Sequence, residues 1–240
     1  MKKTYLIPIA FIALLAIAVL PSCRFRCAKG SGHHVSENTK VSDFTRISVS
    51  GGFKVTLKQD SSLNVSVNAD DNLVKYIHVE SDGNELKIYT KKKMCPSGEM
   101  TVTIGLRNLE RLKGSGAISF VSDGKINAKD LDIRLNGASN VDMDLTAGNV
   151  STQTAGASEI NLKGQATSHR IEMTGNGKVR AFDFVVGKYE IRTTGASDCE
   201  INVLNDLQVN ATGAADVKYK GNPANVNTSK LGAATVTHVN

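Results

Sequence analysis

From Phe44 onward the chain alternates apolar and polar residues with a period of two, and glycine interrupts the alternation at regular intervals. Ile47, Val49, Phe53, Val55 and Leu57 flank Gly51-Gly52 in a first strand–glycine–strand phrase. Leu63-Asn64-Val65-Ser66-Val67, Leu86-Lys87-Ile88 and Met100-Thr101-Val102-Thr103-Ile104 predict three further strands, and residues 70–77 predict a short helical turn. Beyond residue 112 one phrase of the type Gly-Ala-Ser-x-Val recurs, opening at Gly114, Gly137, Gly156, Gly175, Gly195, Gly213 and Gly232. Successive glycines are 23, 19, 19, 20, 18 and 19 residues apart. Apolar residues stand two, four and six positions before a corner, as in Leu135, Ile133 and Leu131, and four and six after it, as in Val141 and Met143. Alternation on both sides of the glycine means two strands per repeat, each with one face inward. Gly124, Gly148, Gly164, Gly187, Asn205-Asp206 and Gly221 mark a second turn.

A single repeat of this kind cannot bury its own apolar face. Stacking neighbours about 4.8 Å apart buries it and pairs the backbone as well. The expected fold class is therefore all-β, a parallel β-helix or β-solenoid with coils of about 19 residues. Glycine serves the corner by adopting φ > 0 or allowing close backbone approach, and the small Ala or Ser beside it lets corners stack. The slot four after the corner holds Val141, Ile160, Val179, Cys199, Val217 and Val236, so Cys199 reads as a small buried hydrophobe. Lys230 breaks the apolar slot two before Gly232, which suits a frayed last coil.

Phe44-x-x-Ile47-x-Val49-Ser50-Gly51-Gly52-Phe53-x-Val55, then Ala69-Asp70-Asp71-Asn72-Leu73, Leu86-Lys87-Ile88 and the serial glycine phrase together resemble the putative auto-transporter adhesin, head GIN domain family over about residues 44–236. The resemblance implies a right-handed, repeat-built β fold on exported bacterial proteins, often lipoproteins, and by its name adhesion. It implies no catalytic residues.

The N-terminus changes the picture of where the chain works. Lys2-Lys3, an apolar run from Leu6 to Leu20 and a small residue before a cysteine predict a secretory signal peptide over 1–22. Leu20-Pro21-Ser22-Cys23 resembles the bacterial lipobox, which makes Cys23 the lipidation site and the membrane a partner through a lipid anchor. Residues 23–42 read as a flexible polar tether, 43–112 as an N-terminal β-rich region and 113–240 as the repetitive solenoid, with 43–240 one continuous unit. The expected location is the cell envelope. Subtracting Lys2 and Lys3 from the formal charge of +6 leaves +4. Arg24, Arg26 and Lys29 lie beside the anchor, where anionic headgroups attract basic residues. No basic stripe with interleaved aromatics points to nucleic acid. With Cys23 set aside, Cys27, Cys95 and Cys199 remain; Cys27 and Cys95 can pair in an oxidising compartment, although nothing in the sequence demands it.

Chemistry is thin. Asp198, Glu200 and Asp216 fall on neighbouring coils and form a candidate acidic surface patch, interrupted by Lys178 and Lys218. The nonapeptide of Ca²⁺-binding solenoids is absent, and His33, His34, His78, His169 and His238 lack zinc-site spacing. No cofactor is expected. The function expected is a membrane-anchored adhesin-like binding or scaffold module without catalysis, with a glycan or protein ligand. The alternatives are a polysaccharide-processing enzyme on a β-helix and a periplasmic structural lipoprotein. An exposed final coil makes a homodimer a further expectation.

Overall fold

The computed structural model describes residues 27–240. The signal peptide read over 1–22 and the lipidation site Cys23 lie outside the described residues. Within them the protein is all-β, with one 3₁₀ turn at Val74–Tyr76 and no closed barrel. The strands are β1 (Ala28–Lys29), β2 (His34–Lys40), β3 (Arg46–Gln59), β4 (Asn64–Asp70), β5 (Ile77–Asp82), β6 (Glu85–Thr90), β7 (Met94–Cys95) and β8 (Thr101–Leu106). They are followed by β9 (Arg111–Lys220), β10 (Asn225–Leu231) and β11 (Thr235–His238).

β9 is an extended ribbon of 110 residues that turns at its glycines. A Cβ built on Gly137 would stand 2.5 Å from the carbonyl oxygen of Gly116. Gly156 stands in the same way over Gly137, Gly175 over Gly156, Gly195 over Gly175, Gly213 over Gly195 and Gly232 over Gly213. All have φ between +99° and +123°, a region closed to side-chain-bearing residues. The chain thus comes back onto itself in rows. β10 and β11 pair in parallel with β9, with Val226 beside Leu207 and Val236 beside Val217, both 19 residues apart. At the other end β3 pairs in parallel with the first row of β9, Arg46 with Arg111 through Leu57 with Ser122. The far side of β3 takes β6 and β8 in parallel, β4 runs antiparallel to β8, and β5 forms an antiparallel hairpin with β6.

Alternation places the apolar set inside. One hydrophobic cluster runs from Phe44 to Val217 and includes Leu131, Ile133, Leu135, Val141 and Met143. Cys199 is fully buried within it, and burial, with Asp198 and Asp216 nearby, pushes its thiol up to about 12. His169 is fully buried too, bonded to Thr152 Oγ1 at 2.9 Å and packed against Phe184 and Tyr189. Burial lowers its pKa to about 3, so the imidazole stays neutral. The last row departs from the pattern. Val226, Thr228 and Lys230 stand beside Leu207, Val209 and Ala211, so two of these three slots are polar and all of β10 is exposed, while Ala234 and Val236 still pack against the core.

Two sequence expectations are corrected. The first corner of β9 is Gly116, not Gly114. Gly116 has φ +112° and pairs with Gly51 of β3, whose φ is +136°. Gly114 lies two residues earlier in the same inward register, and a Cβ there would meet the Phe120 ring at 2.9 Å. Its glycine makes room for an aromatic ring, and the step from Gly116 to Gly137 is 21 residues. The second correction concerns residues 23–42, expected as a flexible tether. β2 pairs antiparallel with β4 from His34–Asp70 to Lys40–Asn64, with every β2 residue exposed. A strand held through its backbone at a sheet edge needs no apolar alternation, so its side chains stay polar.

What fixes this N-terminal arm is a disulfide and a buried carboxylate. Cys27 and Cys95 are bonded, with Cα atoms 5.6 Å apart, where β1 and β7 pair. Asp70, fully buried, accepts hydrogen bonds from Ser97 Oγ at 2.5 Å, Ser97 N at 3.0 Å and Gly32 N at 2.8 Å, with His34 Nε2 3.9 Å away. The Ser97 bonds foremost, aided by Gly32 and His34 and opposed by burial, lower its pKa to about 2. A depressed carboxyl pKa stabilises the fold above the unfolded value and ceases to do so as pH falls through the folded value. Asp70→Asn should therefore be less stable than wild type at neutral pH, and the gap should close between the ordinary 3.8 and about 2. Acid unfolding curves of the two proteins check this; a constant gap down to pH about 2 would refute it.

Candidate binding groove at the glycine corners

Each corner exposes its glycine and the next residue, then turns the second residue inward. The residues just after the corners are Gly52, Ala117, Ala138, Ala157, Asn176, Ala196 and Ala214, one per row. Because the glycines stack directly, these small side chains form a continuous floor running across the rows. The floor lies in a groove of about 1000 Å³. Phe53, Ile118 and Met100 give it an apolar wall at the β3 end, where Pro96 and Gly98 of the loop after β7 also line it. Lys54 and Glu99 form an ion pair of 3.4 Å at that end. Both sides of the groove thus come from residues close to a corner, except for the 96–100 loop, which long-range contact brings in.

Polar atoms line the same channel. Ser139, Ser158 and Ser197 occupy the second position after their corners, are more than nine-tenths buried, and their hydroxyls lack a hydrogen-bond partner among the described residues. Asn140 Oδ1 and Asp198 Oδ1, one residue further on, are likewise unpartnered. A buried polar group without a partner costs about 1–3 kcal/mol, a cost that a bound polar group or ordered water beside these side chains would relieve. Alanine floor and orphan oxygens together suit a long, narrow ligand that carries both apolar surface and hydrogen-bonding groups.

The acidic patch read from sequence resolves differently. Asp198, Glu200 and Asp216 do come together, but cations share their space. Lys218 Nζ lies 3.2 Å from Asp216 and is held by the charges of Asp216, Asp198 and Glu200, which raise its pKa. Arg180 bridges Glu159 at 3.4 Å and Glu200 at 3.5 Å. The Thr235 hydroxyl donates to Asp216, and that bond first, helped by Lys218 and opposed by burial, keeps the Asp216 carboxyl below its ordinary value. No group of three or more metal-ligating side chains forms among the described residues. Asp60, Asp70, Asp82 and Asp216 are all shifted downward, the direction opposite to that of a general acid.

The model of the family described as putative auto-transporter adhesin, head GIN domain, matches residues 43–223. The chain belongs to this family. Solved structures share the head GIN fold across nearly their whole length. A putative adhesin from Bacteroides fragilis is 24% identical, with a TM-score of 0.83 over 88% of this chain and 99% of that one. A putative adhesin from Parabacteroides merdae is 22% identical, with a TM-score of 0.72 over 89% and 99%. A putative lipid binding protein from Parabacteroides distasonis is 20% identical, with a TM-score of 0.66 over 90% and 100%. No curated protein matches the chain in sequence.

Sequence reasoning missed the groove in this head GIN chain, although its signal was present. The recurrent Ala after most corner glycines explains stacking and equally leaves room for a ligand. The 96–100 loop carries no local mark of its position.

Proposed function

We propose that this head GIN protein is a lipid-anchored, non-catalytic binding module of the cell envelope, and that the corner groove holds its ligand. The body is a right-handed parallel β-solenoid of coils near 19 residues, anchored through Cys23. Support for the solenoid comes from the glycine-on-glycine stack and the 19-residue parallel register of the last rows. Support for the anchor comes from the lipobox-like Leu20-Pro21-Ser22-Cys23, and for an adhesin-like role from the family. The observation that carries the binding site is the coincidence, in one channel, of an exposed alanine floor with the orphan oxygens of Ser139, Ser158 and Ser197. A glycan strand or an extended peptide offers the polar groups those oxygens require.

One feature favours a second ligand class. The wall of Phe53, Ile118 and Met100 beside the alanine methyls suits an acyl chain. One of the similar structures belongs to a protein named for lipid binding.

Both readings turn on the same substitutions. Ala157 and Ala196 are exposed on the floor, so Ala157→Arg with Ala196→Arg fills the channel without entering the core. Binding to immobilised glycan and matrix-protein arrays, and uptake of a fluorescent fatty acid, should each be measured for both proteins. The double variant is expected to lose at least about tenfold in affinity for the class that binds, roughly 1.4 kcal/mol. Unchanged array binding would move the site off the groove. Tight fatty-acid uptake with silent arrays would replace the adhesin reading by the lipid one.

A further inference from the structure

The β3 end of the molecule carries a second surface, built of lysines around one tyrosine. The 3₁₀ turn presents Lys75 and Tyr76, and the segment between β6 and β7 returns beside it as Lys91-Lys92-Lys93, with Lys91 N bonded to Tyr76 O at 3.2 Å. Lys92 Nζ lies 4.4 Å from the centre of the Tyr76 ring and Lys75 Nζ lies 5.4 Å from it. Lys91 Nζ lies 6.0 Å from the Tyr89 ring. Two ammonium groups thus lie within reach of one aromatic ring, a local concentration of positive charge that an anion would neutralise.

The surrounding carboxylates do not supply that anion. Asp71 accepts from the Ser31 hydroxyl, Glu80 from the Tyr89 hydroxyl, and Asp82 pairs with Lys87. Among the described residues Lys75, Lys91 and Lys92 make no ion pair, and all three are exposed. The strip also sits where the chain enters the fold. Ala28 N bonds to Lys93 O at 3.0 Å, Lys29 pairs with Cys95, and the disulfide ties Cys27 to the same short strand. Cys23, which the anchor reading acylates, is four residues upstream of Cys27 and can lie at most about 14 Å from it along the chain.

We infer that this lysine–tyrosine knuckle is a docking surface for the anionic headgroups of the membrane that holds the anchor. A basic strip beside a lipid attachment point adds the second of the two signals that stable membrane anchoring needs. A half-buried tyrosine suits the headgroup level, where an apolar ring and a polar tip are both accommodated. The contact stands the body on its β3–β8 end and leaves the rows toward β10 and β11 pointing away. The corner groove takes no part in it, so the two assignments fail independently.

The test uses the mature chain with Cys23→Ser, so that no acyl group contributes, and co-sedimentation with vesicles. Phosphatidylcholine vesicles containing about one-third phosphatidylglycerol should retain the protein at low salt and release it at high salt, and pure phosphatidylcholine should not retain it. Lys75→Glu with Lys91→Glu and Lys92→Glu should weaken retention on the order of 100-fold. The control Lys129→Glu with Lys163→Glu and Lys188→Glu, three exposed lysines on other rows, makes the same change in net charge and should do far less. Equal loss in both triples would reduce the effect to net charge and overturn the assignment. So would no retention on the anionic vesicles, or polyphosphate binding as tightly as the vesicles. Matched circular dichroism and thermal midpoints certify that the variants fold, and Ala157→Arg with Ala196→Arg should leave retention unchanged.

Discussion

Gly156→Ala should lower the stability of the folded body by about 3 kcal/mol, a large share of what holds a domain together. Gly156 has φ +116°, and a Cβ there would press against the carbonyl group of Gly137 in the row beneath. Backbone strain of this kind alone costs about 1–3 kcal/mol for a residue with a side chain. The clash adds to it, because the atom in the way is backbone with its own ladder partners and cannot swing aside as a side-chain tip would. Gly124 supplies the comparison. Its φ is +85°, yet a Cβ there meets nothing within 4 Å. Gly124→Ala should therefore carry only the strain, about 1–2 kcal/mol. Urea unfolding of both variants separates the terms. If the two midpoints shift equally, the corners are not packed as tightly as described.

The second large effect belongs to the N-terminal arm. The Cys27–Cys95 bond closes a loop with a sequence separation of 68, and cross-linking a loop of that length removes about 4 kcal/mol of chain entropy from the unfolded state. Cys27→Ala with Cys95→Ala should show most of that loss. Added reductant should shift the wild-type unfolding midpoint by a similar amount and leave the double variant where it is. A midpoint of the double variant that still moves with reductant would mean that another thiol event sets stability. Ser97, two residues beyond Cys95, is also the main hydrogen-bond partner of Asp70. The disulfide and the carboxylate thus hold the same loop, and removing both should cost less than the sum of the separate losses.

The body of the molecule was largely legible in its sequence, for a physical reason. A strand with one buried face must alternate, and rows that stack must repeat, so Leu131, Ile133, Val141 and Cys199 declare their positions without a structure. The acidic patch was legible as an adjacency, and so was its interruption by Lys218; what spacing did not show is that Arg180 reaches across to Glu159 and Glu200. Gly114 misled because it lies two residues from Gly116, on the same face, and Ile118 is apolar under either alignment. The positive φ of Gly116 and its place in the stack between Gly51 and Gly137 decide between them, and the Phe120 ring explains the glycine at 114. β2 was illegible because a strand bound through its backbone leaves no trace in its side chains. The groove lay between these cases. Alanine after glycine was visible in nearly every repeat, but whether a small residue admits a neighbour or a ligand depends on what covers it, and that is set by a loop from elsewhere.

The stack of glycines also limits how a gene for this protein can change in length. Losing or gaining one residue inside a row exchanges its inside for its outside and moves every later corner off the one beneath. Losing or gaining a whole row leaves each glycine on a glycine and each apolar slot on an apolar slot. Here the larger edit is the gentler one. Inheritance by whole rows would lengthen or shorten the alanine floor in steps of one strand spacing, about 4.8 Å, and so fit related chains to ligands of different length while leaving their corners intact.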